Sequence, residues 1–274
     1  MRRYLRRLTS VSYGFLFVLW LYLSTTWRFW HWRIQFSFQH SHRIESTSID
    51  MKQRLLFIRH GQSTWNAEEL LPGQLPGIPL DEKGREQAAL LADALAPLPI
   101  SAIISSPLER ALQTAVVLAQ AKGLDVQLEP DLIDTDVGRW AGQSYKELGK
   151  IDPEWKTYVK DPTVAPEGVE TFPQVQRRAV AAVERWRKQD NIGAYPAFVA
   201  HADIVKLLIA HYTGLDAGRA GTLVIENASV SIVEWDGEHR PRVIAISWSP
   251  RPGWLKPPIE EPKEKDEQPK GSVQ

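Results

Sequence analysis

The 274-residue sequence contains no cysteine. Disulfide bonds, thiolate catalysis and cysteine-ligated zinc sites are therefore excluded, whereas the redox compartment stays undecided. The chain also lacks net charge, but residues 1–50 carry seven arginines against two acidic residues and residues 250–274 are balanced. Residues 51–249 consequently hold five more acidic than basic residues. An acidic body argues against nucleic acid as the main partner, so an anionic substrate would need a local cluster of cations.

Both ends of the chain differ in composition from its centre. Residues 1–50 combine a basic stretch, a short apolar run and a segment rich in tryptophan and arginine, which is typical of a membrane anchor. The alternative is an extension that takes no part in catalysis, because Met51 offers a second start just before the first strand. We therefore expect a cytoplasmic protein, with membrane contact through residues 8–27 as the alternative. Residues 250–274 are rich in proline and charge and are predicted to be disordered.

Strand-like and helix-like segments alternate through residues 51–249, which we expect to form the catalytic domain. This alternation predicts an α/β fold, in which a mainly parallel sheet lies between two layers of helices. The predicted strands are 55–58, 102–105, 126–132, 197–200, 223–225, 230–235 and 243–248, and the predicted long helices are 82–96, 107–121, 172–189 and 203–212.

Charged side chains follow three of the predicted strands. Arg59 and His60 end the first strand, Arg110 lies in the first turn of the helix after the second, and His201 ends the strand at 197–200. Ligands of open α/β sheets bind beyond the carboxyl ends of the strands, and helix N-termini favour anions. Ser106, Pro107 and Glu109 have the spacing of a capping box ahead of Arg110. The alternatives are a solvated surface arginine and a structural histidine.

Two imidazoles and two guanidiniums at one edge of a sheet suit phosphoryl transfer. A neutral imidazole is a nucleophile that can form a phosphohistidine, and cations nearby disfavour its protonation. Ser63 and Asn66 follow His60 and are candidate substrate- or phosphate-binding residues, because their short polar side chains can donate hydrogen bonds. The leaving oxygen also needs a proton, and the candidate acids in the loop after the third strand are Asp131, Asp134 and Asp136. Their spacing alone does not choose among them.

Five segments, taken together and in order, resemble the histidine phosphatase superfamily with its phosphoglycerate-mutase-like, three-layer α/β/α fold. They include RHGQSTWN at 59–66, PLDEKGREQA at 79–88 and LIDTDVGRWAG at 132–142, together with the stretches that hold Arg110 and His201. The resemblance spans roughly residues 53 to 248. It implies a phosphorylated His60, phosphate-clamping Arg59 and Arg110, a second histidine at His201, a general acid at Asp134 and a substrate contact at Asn66.

Three departures from the family pattern affect these expectations. The family acid is most often glutamate, so Asp134 must approach more closely or act through water, and Asp136 stays an alternative. Ala202 follows His201 where the family often has glycine, which would narrow the pocket. Glu170 lies in a stretch that resembles a substrate-facing segment, but a helix N-terminal acid is the simpler interpretation.

The short connection from Asp134 to His201 is more similar to the phosphatase branch of the family than to its cofactor-dependent mutases. We therefore expect a metal-independent phosphomonoesterase that uses no cofactor, forms a phosphohistidine and acts on a small phosphorylated substrate. The alternatives are a phosphoglycerate mutase and a weakly active phospholigand-binding module. The sequence names neither the substrate nor the oligomeric state.

Overall fold

The computed structural model describes residues 52–236 and 238–253, all within the unit that begins at Met51. The predicted anchor at 8–27, the rest of the N-terminal extension and most of the C-terminal tail lie outside the described residues. Within the described ranges, every helix is too short or too polar to cross a membrane.

A six-stranded mixed sheet forms the centre of the fold. Its strands are β1 Gln53–Arg59, β2 Ala102–Ser105, β3 Val126–Leu128, β4 Pro196–Ala200, β5 Val230–Trp235 and β6 Arg242–Trp248. In space their order is β3-β2-β4-β1-β5-β6. The first four strands in this order are parallel, whereas β5 and β6 add antiparallel pairs. The predicted mainly parallel sheet is confirmed.

Helices pack on both faces of the sheet, as predicted. They are α1 Thr64–Ala67, α2 Glu82–Ala94, α3 Glu109–Lys122, α4 Tyr145–Ile151, α5 Pro153–Lys160, α6 Phe172–Arg187 and α7 Ala202–Thr213. Side chains of β1 point alternately into two cores, as the pleat of a strand requires. Leu55 and Phe57 pack with α6 and α7, while Leu56 and Ile58 pack with α2 and α3. Burial on both faces explains why β1 reads as an uninterrupted apolar run.

Two predicted elements are wrong at their ends, and one predicted strand does not form. Helix α3 begins at Glu109 after an extended Leu108, so Ser106 is not an N-cap and the predicted capping box does not form. Strand β3 ends at Leu128, because Pro130 has no N–H to continue the ladder and starts a 3-10 turn instead. Residues 223–225 form no strand: Leu223 ends a 3-10 helix, and the Ile225 carbonyl accepts a hydrogen bond from Arg59.

Candidate active site

The three strand ends that carry charge are neighbours in the sheet, because β4 lies between β2 and β1. The end of β4 is hydrogen-bonded to the segments that follow β1 and β2. The His60 N–H donates to the Ala200 carbonyl at 3.0 Å, and the Ser106 N–H donates to the Val199 carbonyl at 2.9 Å. His201 follows at the junction of β4 and α7. The backbone ladder therefore brings the segments of His60, Ser106 and His201 to one edge.

His60 is held in a single orientation by its own loop. Its Nδ1 lies 2.6 Å from the Gly61 carbonyl, which can only accept, so Nδ1 carries the proton and Nε2 keeps its lone pair. The side chain is 2% exposed. Burial lowers the pKa of His60 well below its usual value, and His201, Arg59 and Arg110 lower it further. A neutral imidazole with a free Nε2 has the form that a nucleophile requires.

His201 is also buried, and its ring centroid lies 5.2 Å from that of His60. Its Nε2 is 2.9 Å from the hydroxyl of Ser106, which also accepts a hydrogen bond from the Leu108 N–H at 3.4 Å. The Asp134 carboxylate, which can only accept, faces Nδ1 at 3.5 Å, so the neutral ring carries its proton on Nδ1 and its Nε2 accepts from the Ser106 O–H. Burial lowers the pKa of His201 well below its usual value, and Arg110 and Arg59 add to the effect.

Two arginines provide donors around the imidazoles. Arg59 donates from Nη1 to the Ile225 carbonyl at 2.6 Å, and Arg110 donates from Nη2 to the Gly73 carbonyl at 2.8 Å. Arg110 is fully buried, which argues against a solvated surface role. Three further nitrogens, namely Arg59 Nε and Arg110 Nε and Nη1, are buried without a partner in the described part of the chain. Unsatisfied buried donors are rare, and these are suited to an anion.

Of the three candidate acids, Asp134 lies against these groups. Its Oδ2 is 3.0 Å from Arg110 Nη2 and 3.5 Å from His201 Nδ1. Asp131 instead pairs with Arg185 at 2.8 Å, and the Asp136 carboxylate accepts the Gly138 N–H at 2.9 Å. The geometry therefore favours Asp134 over the alternatives.

The loop that carries Asp134 is fixed by Arg178 of α6. Arg178 donates to the carbonyls of Asp131, Ile133 and Asp134 at 2.7–2.8 Å and pairs with Glu170 at 2.8 Å. Glu170 also accepts the Asp136 N–H at 2.9 Å. Glu170 is thus a loop-holding carboxylate rather than a residue shown to face a substrate.

Ser63 and Asn66 cap helix α1. The Ser63 hydroxyl accepts the Asn66 N–H, and the Asn66 side chain accepts the Ser63 N–H, both at 3.1 Å. Ser63 is fully buried, whereas Asn66 lines a cavity of about 680 Å³ that also borders Arg59 and Asp134. A substrate contact at Asn66 fits this placement, while the Ser63 hydroxyl is already used as a cap. His60, Arg110 and His201 do not line the cavity in this conformation, because each is at most 2% exposed.

A family model for the histidine phosphatase superfamily, branch 1, matches residues 55–248 of this chain. The chain belongs to the histidine phosphatase superfamily. The resemblance inferred from the sequence is confirmed, and the matched range contains every residue of the site described above.

Relatives within the histidine phosphatase superfamily carry different names. A bifunctional protein of Mycobacterium tuberculosis is 36% identical over 199 residues, which cover 70% of this chain and 53% of the relative. This chain thus spans about half the length of that protein. The probable phosphoglycerate mutase GpmB of Shigella boydii is 32% identical over 185 residues, which cover 66% of this chain and 85% of the relative. A mycobacterial glucosyl-3-phosphoglycerate phosphatase, solved with VO3, superposes with a TM-score of 0.66 at 29% identity, covering 72% of this chain and all of that one.

Sequence reasoning missed two residues of this superfamily site. The sequence around Ser106 predicts a helix cap, and only the contact of its hydroxyl with His201 shows its place in the site. Arg178 lies in a helix far along the chain from the Asp134 loop that it holds. No local pattern marks either contact, since both depend on how distant segments pack.

Proposed function

We propose that this chain is a metal-independent phosphomonoesterase that works through a phosphohistidine on His60. The observation that carries the proposal is the buried, neutral His60 with its Nε2 lone pair free. Beside it lie the fully buried Arg110 and the partly exposed Arg59, both of which have buried N–H groups that lack a partner among the described residues. Few other reactions need a nucleophile among so many donors for anionic oxygen.

In the first step, His60 Nε2 attacks phosphorus while the bond to the leaving oxygen breaks. Arg59, Arg110 and the Nδ1–H of His201 donate to the three phosphoryl oxygens. Asp134 gives its proton to the leaving alkoxide. In the second step, Asp134 takes a proton from water as the water oxygen attacks phosphorus, the N–P bond breaks and phosphate leaves with His60 restored.

Asp134 lies beside the proposed phosphate clamp. Its Oδ2 contacts Arg110 Nη2 at 3.0 Å, and a phosphoryl group that binds Arg110 takes over this contact. The carboxyl is then free to turn towards the leaving oxygen.

A phosphoglycerate mutase is the second candidate, because GpmB of Shigella boydii bears that name. A sugar-acid carboxylate would need its own cation. Among the lining residues of the cavity, Lys206 already pairs with Asp203 at 3.0 Å, and Arg59 belongs to the phosphate site. Lys160 is exposed, so it offers little fixed charge for a carboxylate. This lining favours the phosphatase.

The test measures free phosphate from p-nitrophenyl phosphate in the presence of a chelator, and 2-phosphoglycerate from 3-phosphoglycerate, with His60→Asn as the control. We expect phosphate release from the first ester, its loss in the variant, and no phosphoglycerate interconversion. Formation of 2-phosphoglycerate faster than phosphate release would identify a mutase. Phosphate binding without turnover of any ester would identify a phospholigand-binding module.

A further inference from the structure

The cavity beside Arg59 and Asp134 has an aromatic wall. Tyr145, Trp155, Tyr158 and Phe172 all line it and form a continuous series. Successive ring centroids lie 6.4, 6.3 and 6.2 Å apart. Rings at such spacing present a broad apolar surface, against which another ring packs favourably.

Two exposed valines extend this surface to solvent. Val159 of α5 and Val224 of the loop before β5 line the same cavity, although they are 62% and 76% exposed. A single exposed apolar residue needs no explanation, but two that border a cavity with an aromatic wall continue its apolar surface. Leu223 and Ile225, on either side of Val224, line it as well.

Most of the charged side chains that line the cavity already contact other groups of the protein. Lys206 pairs with Asp203, and Arg59 and Asp134 belong to the proposed phosphate site. A leaving group with a second negative charge would therefore meet Asp203 and one exposed lysine. A volume of about 680 Å³ is also far larger than a three-carbon leaving group needs.

From these observations we propose that the preferred substrates are phosphate monoesters of bulky, apolar alcohols, whose alcohol part packs between the aromatic wall and the two valines. This inference rests on the phosphomonoesterase function proposed above and deepens it. The phosphate end is held by the cations, while the apolar end supplies specificity.

The experiment compares kcat/KM for 3-phenylpropyl phosphate and glycerol 3-phosphate. Both esters release an unactivated primary alkoxide, so their difference reports the alcohol part and not leaving-group chemistry. We expect the phenylpropyl ester to be favoured roughly 30-fold, the order of factor that burial of a phenylalanine-sized group supplies.

The variants Val159→Asp and Val224→Asp place a charge on the proposed apolar surface. Each should lower the ratio of the two kcat/KM values roughly tenfold, chiefly through KM for the phenylpropyl ester. Val164→Asp is the matched control, because Val164 is 59% exposed but does not line the cavity. It should leave the ratio unchanged.

The outcomes separate the two proposals. A ratio near one or in favour of glycerol 3-phosphate, or equal effects of all three variants, would overturn the substrate class while turnover of either ester upholds the phosphomonoesterase. Failure to hydrolyse both esters and p-nitrophenyl phosphate would overturn the function itself, and the substrate class with it.

Discussion

At the residue scale, two small groups set which nitrogen of each imidazole carries the proton. The Gly61 carbonyl holds the proton of His60 on Nδ1, and the Ser106 hydroxyl leaves the proton of His201 on Nδ1. The two rings consequently present different atoms: His60 has a free lone pair on Nε2, and His201 has a free donor on Nδ1. One can attack phosphorus while the other binds a phosphoryl oxygen.

Ser106→Ala removes the donor that fixes the ring of His201. We expect kcat to fall roughly tenfold or more, because Nε2 becomes a buried acceptor without a partner and the ring is free to change tautomer. KM and the denaturant midpoint should change much less, and Ser106→Thr should restore kcat. Steady-state kinetics and urea unfolding of the variants provide the check.

Ser105→Ala is the matched control for this prediction. Ser105 is equally buried, but its hydroxyl donates to the Ser106 carbonyl at 2.8 Å and contacts neither imidazole in the described structure. Equal kcat values for the Ser105 and Ser106 alanine variants would show that Ser106 only supports packing.

The charged residues at strand ends were predictable from the sequence, whereas their partners were not. Arg59, His60, Arg110 and His201 stand out because each follows an apolar strand in an α/β pattern. Spacing alone does not choose among the three aspartates of the loop; the family resemblance implies Asp134, and packing shows that Asp134 contacts Arg110. Packing also decides Ser106, since its neighbours in sequence imply a cap whereas its neighbour in space is His201.

At the element scale, the loop after β1 packs backbone to backbone against the start of α2. A Cβ on Gly61 would overlap the carbonyl of Gly84, and a Cβ on Gly84 would overlap the carbonyl of Gln62. The Gly61 N–H also donates to Thr114 of α3 at 3.1 Å. Two helices therefore hold the loop that carries His60.

Gly84→Ala tests this close packing. In an ordinary helix interior, replacing glycine by alanine stabilises by up to about 1 kcal/mol. Here we expect the free energy of unfolding to fall by about 1–3 kcal/mol, because the new methyl group must displace the backbone of Gln62. Turnover should fall as well, since the displaced backbone is that of the His60 loop.

Gly149→Ala supplies the comparison, because Gly149 lies in α4 with nothing within 4 Å of an added Cβ. That variant should be neutral or slightly more stable and fully active. If Gly84→Ala were equally stable and active, the close contact between the loop and α2 would not constrain the conformation of the loop that carries His60.

Elements with two buried faces were the easiest to predict. Strands β1, β2 and β4 read as apolar runs because helices cover both faces of the sheet there. The ends of β3 and α3, and residues 223–225, were mispredicted because proline chemistry and contacts to distant side chains decide them. Apolar composition alone made 223–225 look like a strand, although Val224 borders the cavity instead.

At the scale of the whole molecule, the two neutral histidines couple stability to pH. Their pKa values lie well below normal when folded, whereas in the unfolded chain each binds a proton as the pH falls through about 6.5. The unfolded state then holds more protons, so the free energy of unfolding falls as pH falls below that value. The loss between pH 7 and pH 5.5 should be roughly 1 kcal/mol for each histidine.

Urea unfolding of the parent chain and of His201→Gln at both pH values measures this effect. The variant lacks one of the two titrating rings, so it should lose roughly 1 kcal/mol less than the parent on acidification. The same pH dependence in both proteins would mean that His201 is not kept neutral by the fold.

The central claim is that His60 carries the phosphoryl group. The most direct measurement is rapid quenching of the whole chain during turnover of p-nitrophenyl phosphate, followed by peptide mapping of the modified residue. The account predicts an alkali-stable, acid-labile phosphohistidine at His60, which is absent from His60→Asn together with turnover. A phosphoryl group found on His201, or undiminished turnover in His60→Asn, would contradict it.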